Sequence, residues 1–143
     1  MAPGCPLGLI SFSLVAQEHS YQVASDIYYG NTPKKWDREY QLLDVYFQDK
    51  KDRRPVIIYV HGGGWAFGSK ADVHNKPDFF VPKGYAFISM NYRLRWDYKV
   101  YHQLEDIASV VNWVHENADE YGLDSKRVFL MGNEAGAHLV SLV

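Results

Sequence analysis

The run Pro55-Val56-Ile57-Ile58-Tyr59-Val60 is the feature that most narrows the fold. It is apolar, largely β-branched and without alternation. Such a strand is buried on both faces, so it must lie inside a sheet with layers on either side. It stops at His61-Gly62-Gly63-Gly64-Trp65, which can neither continue a strand nor start a stable helix.

Two further runs, Tyr85 to Met90 and Arg127 to Gly132, read as buried strands of the same kind, and Gln41 to Phe47 is also strand-rich. The mixed charges Lys50 to Arg54 read as a solvated turn. Residues 72–83 hold a helix that stops at Gly84. From Tyr101 to Tyr121 the residues Leu104, Ile107, Ala108, Val111, Val114 and Ala118 recur at three- and four-residue steps. They predict one long helix with a single apolar face, ended by Gly122. A last helix starts near Ala135 and runs to Val143. Strands alternating with one-faced helices imply an α/β class: a mostly parallel sheet with helices on both faces. In such sheets function gathers in the loops after the strands.

Composition removes several alternatives. With 143 residues, 47% hydrophobic and 22% charged, the chain is a globular domain rather than a disordered one. A net charge of −2 argues against a nucleic-acid partner. The single cysteine, Cys5, excludes an internal disulfide, and no apolar stretch is long enough for a membrane span. The aromatic share, 15%, reads as a packed aromatic core, with an aryl- or carbohydrate-facing surface as the alternative. His19, His74, His102 and His115 have no metal-ligand spacing, so neither a metal nor another cofactor is expected.

Two glycine-rich loops carry the chemistry. In His61-Gly62-Gly63-Gly64-Trp65-Ala66-Phe67-Gly68 the glycines let backbone N–H groups converge on a cavity, where they can hold an anion or a developing oxyanion. In Gly132-Asn133-Glu134-Ala135-Gly136, set between a strand and a helix, the flanking glycines permit a sharp turn. That turn thrusts the central side chain above the sheet, and the N–H of Ala135 joins the same cavity.

With these loops the chain resembles the α/β-hydrolase fold, in its carboxylesterase- and lipase-like branch with a His-Gly-Gly-Gly loop. It looks closest to bacterial feruloyl and acetyl-xylan esterases and to kynurenine-formamidase-like esterases. The matching residues include Asp26 to Gly30, Leu43 to Tyr46, His61 to Trp65, Gly68, Asn91 to Leu94, Leu104 to Asp106 and Gly136 to Leu139. The resemblance covers residues 24–143 as the front half of the family's domain, and leaves residues 1–23 as an arm or a signal-like segment. It implies an oxyanion hole formed by the amides of Gly63, Gly64 and Ala135. His61, Gly62 and Trp65 would support the loop, and Gly132 and Gly136 would be the elbow glycines. Tyr92, Arg93 and Asp106 would be scaffold, His138 a helix-packing residue, and the ligand a small ester-like molecule.

The chain departs from the family at the elbow, where Glu134 stands in place of serine. A carboxylate cannot be activated as a serine hydroxyl is. Its charge would fill the hole or repel an oxyanion. The family's acid and histidine follow the nucleophile, and only nine residues follow Glu134, with His138 their one histidine and no acid among them. Three outcomes stay open at this level: an esterase-like chain without turnover, a binding pseudoenzyme or fragment, or a carboxylate-nucleophile hydrolase completed by a further segment. The strand before Glu134 would then form an open sheet edge prone to self-association. The apolar run Leu7 to Ala16, with no basic residue before Lys34, leaves secretion or a cytoplasmic location undecided.

Overall fold

The computed structural model describes residues 20–30, 35–49 and 51–143. The signal-like run and Cys5 lie outside the described residues. The strands are β1 (Gln22–Tyr28), β2 (Leu42–Phe47), β3 (Arg54–Val60), β4 (Ala86–Met90) and β5 (Leu123–Gly132). They form one sheet in the order β1-β2-β4-β3-β5. β3 runs parallel to β4 and β5, whereas β2 pairs antiparallel with both β1 and β4. The parallel part is therefore the three-strand group β4-β3-β5, extended by an antiparallel pair. Parallel neighbours need crossovers. These are supplied by α1 (Lys76–Phe80) between β3 and β4, and by α2 (Val100–Tyr121) between β4 and β5. A short α3 (Ala135–Val140) follows β5.

The two faces of β3 explain its unbroken apolar run. Val56, Ile58 and Val60 pack into the larger core with Ile107, Val110 and Val114 of α2 and Leu139 of α3. Ile57 and Tyr59 pack on the opposite face with Val81 and Phe87, flanked by Phe80. Helices thus cover both faces. Gly84 (φ 97°) closes the turn after α1 and Gly122 (φ 64°) closes α2, each in the left-handed region that favours glycine.

Four details differ from the sequence reading. β1 was not legible, because its residues are mostly exposed and its register slips between Ala24 and Ile27, where Asp26 has φ 57°. In α2 the buried face includes Gln103 and Asp106, while Ala108 is exposed. Asp106 is fully enclosed yet accepts from Arg93 N–H (2.8 Å), from the Arg93 guanidinium (2.9–3.1 Å) and from Gln41 Nε2 (2.8 Å). Polar groups enter a core when partnered in this way. β5 is longer than predicted, and apart from Leu123 it is only partly buried or exposed. Among the described residues it has β3 on one side only, and Phe129 is 52% exposed. α3 ends at Val140 rather than Val143, giving way to a turn in which Ser141 N–H is shared between the carbonyls of Ala137 and His138.

Candidate functional site

β3 and β5 are paired with Val60 opposite Gly132, so their carboxyl ends, and the two glycine-rich loops that leave them, lie side by side. The junction is tight. Asn133 N–H donates to Val60 O (3.2 Å), and a Cβ on Gly136 would sit 2.0 Å from Val60 O. Only glycine lets α3 approach β3 this closely. Gly132 faces the same constraint from α3, since a Cβ there would lie 2.4 Å from Ala137 N.

Glu134 occupies the turn between β5 and α3 with φ 49° and ψ −111°, a conformation that a side-chain-bearing residue adopts only when its surroundings enforce it. Its carboxylate reaches into the glycine loop. Oε2 accepts from Ala135 N–H at 2.7 Å, Gly63 N–H at 2.8 Å and Gly64 N–H at 3.1 Å. Gly63 (φ 118°) and Gly64 (φ 59°) present those amides through backbone angles that glycine tolerates best. Donation from Gly64, Ala135 and Gly63 lowers the Glu134 pKa to about 2, so the side chain is a carboxylate throughout the neutral range.

His61 supports the loop from below. It is buried, its ring stacks on Tyr92 (4.4 Å between centroids), and its Nδ1 lies 2.7 Å from Gly62 O. Tyr92 O–H donates to the His61 carbonyl (2.9 Å). Burial lowers the His61 pKa against the opposing pull of the Gly62 carbonyl, which favours a neutral imidazole. Trp65 (φ 62°) is held through its carbonyl by Arg95 N–H (2.8 Å) and Gln103 Nε2 (3.1 Å). His138 packs edge-on against the Trp65 ring, 5.4 Å away. The far end of the loop is anchored by Lys70, whose Nζ pairs with Asp44 (2.7 Å) and Asp26 (2.8 Å).

Above Glu134 lies an open cleft of about 560 Å³, bounded by Gly62, Gly63 and Gly64 and by the side chains of Phe67, Asn133 and Glu134. Tyr59, Asp72 and His74 also line it, and sequence reasoning missed all three. Tyr59 looked like a core residue of β3, and nothing in the spacing ties Asp72 or His74 to either loop. His74 carries φ 51°. The predicted positions Gly62, Gly63, Gly64 and Glu134 come together here, with Ala135 bonded at the cleft floor. His61 and His138 do not line the cleft. Among the described residues no group of three or more His, Cys, Asp or Glu side chains could hold a metal ion. Nor is any helix among them long and apolar enough to cross a membrane.

The parallel core, its helical layers and the two loops at the strand ends define an α/β-hydrolase of carboxylesterase-like type. Solved structures agree. Inhibited esterase B from Lactobacillus rhamnosis superposes with a TM-score of 0.75 at 30% identity, over 87% of this chain and 40% of that one. Paraoxon-phosphorylated esterase 2 from Thermogutta terrifontis gives 0.68 at 27%, over 85% and 46%. Carboxylesterase NlhH from Mycobacterium tuberculosis is 31% identical over 99 residues, which are 65% of this chain and 30% of that protein. The chain spans less than half the length of each of these relatives. The BD-FAE family model matches residues 43–143, and the chain belongs to that family.

Proposed function

We propose that this chain carries the ligand cleft of an esterase-like α/β-hydrolase, takes a small ester-like molecule there, and does not turn it over by serine-type acyl transfer. One observation carries this reading: Glu134 Oε2 holds the three amide N–H groups that would otherwise receive a substrate oxyanion. The amides of Gly63, Gly64 and Ala135 are then an oxyanion hole that the protein fills itself. Attack by the carboxylate on an acyl carbon would yield a mixed anhydride, which is high in energy, so an ester meets no productive nucleophile at this position.

Removing the carboxylate should open the hole. In Glu134→Ala, acetate is expected to raise the melting temperature in a saturable way, while the unsubstituted protein shows no such rise and leaves p-nitrophenyl acetate at the background rate. Saturable p-nitrophenyl acetate turnover that survives Glu134→Ala, or equal acetate binding by both proteins, would overturn the reading. The open side of β5, with Phe129 exposed on it, also supports self-association along that edge as the chain's contact with its own kind.

A further inference from the structure

At the far end of the glycine loop Lys70 is tied to β1, β2 and β4 at once. Its Nζ, on a side chain only 14% exposed, donates to Asp44 on β2 (2.7 Å) and to Asp26 on β1 (2.8 Å). Its N–H donates to Asn91 Oδ1 (2.6 Å), and its carbonyl accepts from Ser89 Oγ (2.7 Å). Ser89 lies in β4 and Asn91 just past it. We infer that Lys70 is a positioning residue of the site: its ion pairs set the aim of the Gly63 and Gly64 amides, and so how tightly the cleft holds an anionic oxygen. This rests on reading the three amides as an oxyanion site.

The path from Lys70 to those amides is short and stiff. Gly68 presses against the start of the loop, where a Cβ would lie 2.6 Å from both Gly62 O and His61 Nδ1. Gly63 O accepts from Ala66 N–H (3.1 Å) and Phe67 N–H (2.9 Å), so residues 63–67 form one closed turn. Asp72 Oδ2 accepts from Ser69 N–H (2.8 Å) and holds the exit of the loop. A shift at residue 70 therefore has little room to dissipate before it reaches Gly63, because close-packed parts move together. Lys70 does not line the cleft, so its contacts reach a bound ligand only through the loop.

A role for Lys70 also accounts for the irregularity in β1. Asp26 has φ 57° where the register with β2 slips, a costly conformation for a residue with a side chain. There its N–H donates to Asp44 Oδ1 (2.9 Å) and its carboxylate meets Lys70. Asp44 Oδ1 thus receives both the bulge and the lysine. Bulges on edge strands beside a site re-aim side chains in this way.

Acetate titrated into Glu134→Ala, followed by NMR chemical shifts, reads the opened hole directly. Adding Lys70→Met should weaken acetate at least about threefold, within the span of coupling along a packed network. Loss of a positive charge would by itself weaken an anion, so a second variant removes a negative one. Adding Asp44→Ala to Glu134→Ala should also weaken acetate, whereas the field of the lost carboxylate alone would tighten it. Asp44→Ala leaves Lys70 its exposed partner Asp26, so no charge is orphaned, and this variant decides the matter alone if Lys70→Met does not fold. Acetate affinity unchanged by Lys70→Met, or unchanged or tighter with Asp44→Ala, overturns the inference. A merely structural role would lower Tm without lowering affinity. Phe47→Leu, in the core at the end of β2 away from the site, gives that pattern its reference: Tm should fall and acetate affinity should hold. Equal weakening by Phe47→Leu would overturn the assignment to Lys70. If Glu134→Ala itself binds no acetate, the filled hole fails and takes this inference with it. If it binds acetate regardless of Lys70 and Asp44, only the positioning role is removed.

Discussion

At Glu134 the backbone and the side chain are set by different partners. The glycines at 132 and 136 let the turn close against Val60, while Gly63, Gly64 and Ala135 fix the carboxylate. The Gly-x-X-x-Gly spacing shows in the sequence that residue 134 projects above the sheet. What it does there is set by the tertiary structure, since serine and glutamate fit the same spacing. The bonds have a pH signature. Glu134 falls from the ordinary 4.5 to about 2 in the folded protein, so the unfolded chain binds the proton more readily. Its contribution to stability is complete above about pH 5. It is lost as pH falls through the window from 4.5 toward 2. Urea unfolding of the protein and of Glu134→Gln should therefore differ by a constant amount near neutrality, and the protein should lose ground to the variant across that window. A difference independent of pH would show that the three amides do not hold the charged form.

The elements that were legible in sequence are those whose pattern is set by burial alone. β3 and β4 read as strands because both their faces are covered, and α2 reads as a helix because it presents an apolar stripe to the sheet. Its orientation was read less well. The apolar stripe of Leu104, Ile107, Ala108, Val111, Val114 and Ala118 leaves out Gln103 and Asp106, and the structure encloses both because the loop after β4 turns its polar groups inward. Gln103 Nε2 donates to the carbonyls of Arg93 (2.9 Å) and Trp65 (3.1 Å), and Asp106 binds Arg93 and Gln41. These bonds join α2 to the glycine loop, so the helix positions the site as well as covering the sheet. Asp106→Ala would leave the Arg93 guanidinium, largely enclosed, without its buried partner. A loss of about 3–5 kcal/mol in unfolding free energy is expected, the range for breaking a buried ion pair from one side. A loss below about 1 kcal/mol would mean that Arg93 finds equivalent partners in Glu105 and the His102 carbonyl.

Across the whole molecule, strand order decides what is covered and what is open. Among the described residues β3 lies between β4 and β5 and is buried, whereas β5 has a strand on one side only, with Phe129 and Met131 on its less covered face. Sedimentation velocity should show an average mass that rises with concentration, and Phe129→Lys should shift the distribution toward monomer. A protein monomeric at all concentrations would remove the β5 contact. The apolar runs at Val56 to Val60 and Tyr85 to Met90, the helical periodicity from Tyr101 to Tyr121 and the glycine spacings of the two loops were enough to specify strands, turns and an α/β layer order. Each depends on local periodicity and on backbone angles that few residues adopt. Tertiary structure decided the rest. The pairing of Val60 with Gly132 brings Glu134 to within hydrogen-bond distance of Gly63, 71 positions earlier, and the same packing gathers Tyr59, Asp72 and His74 around one cleft. A hydrogen bond requires atoms about 3 Å apart. No local pattern encodes that distance between residues so far apart in the chain, and only the register of two parallel strands sets it.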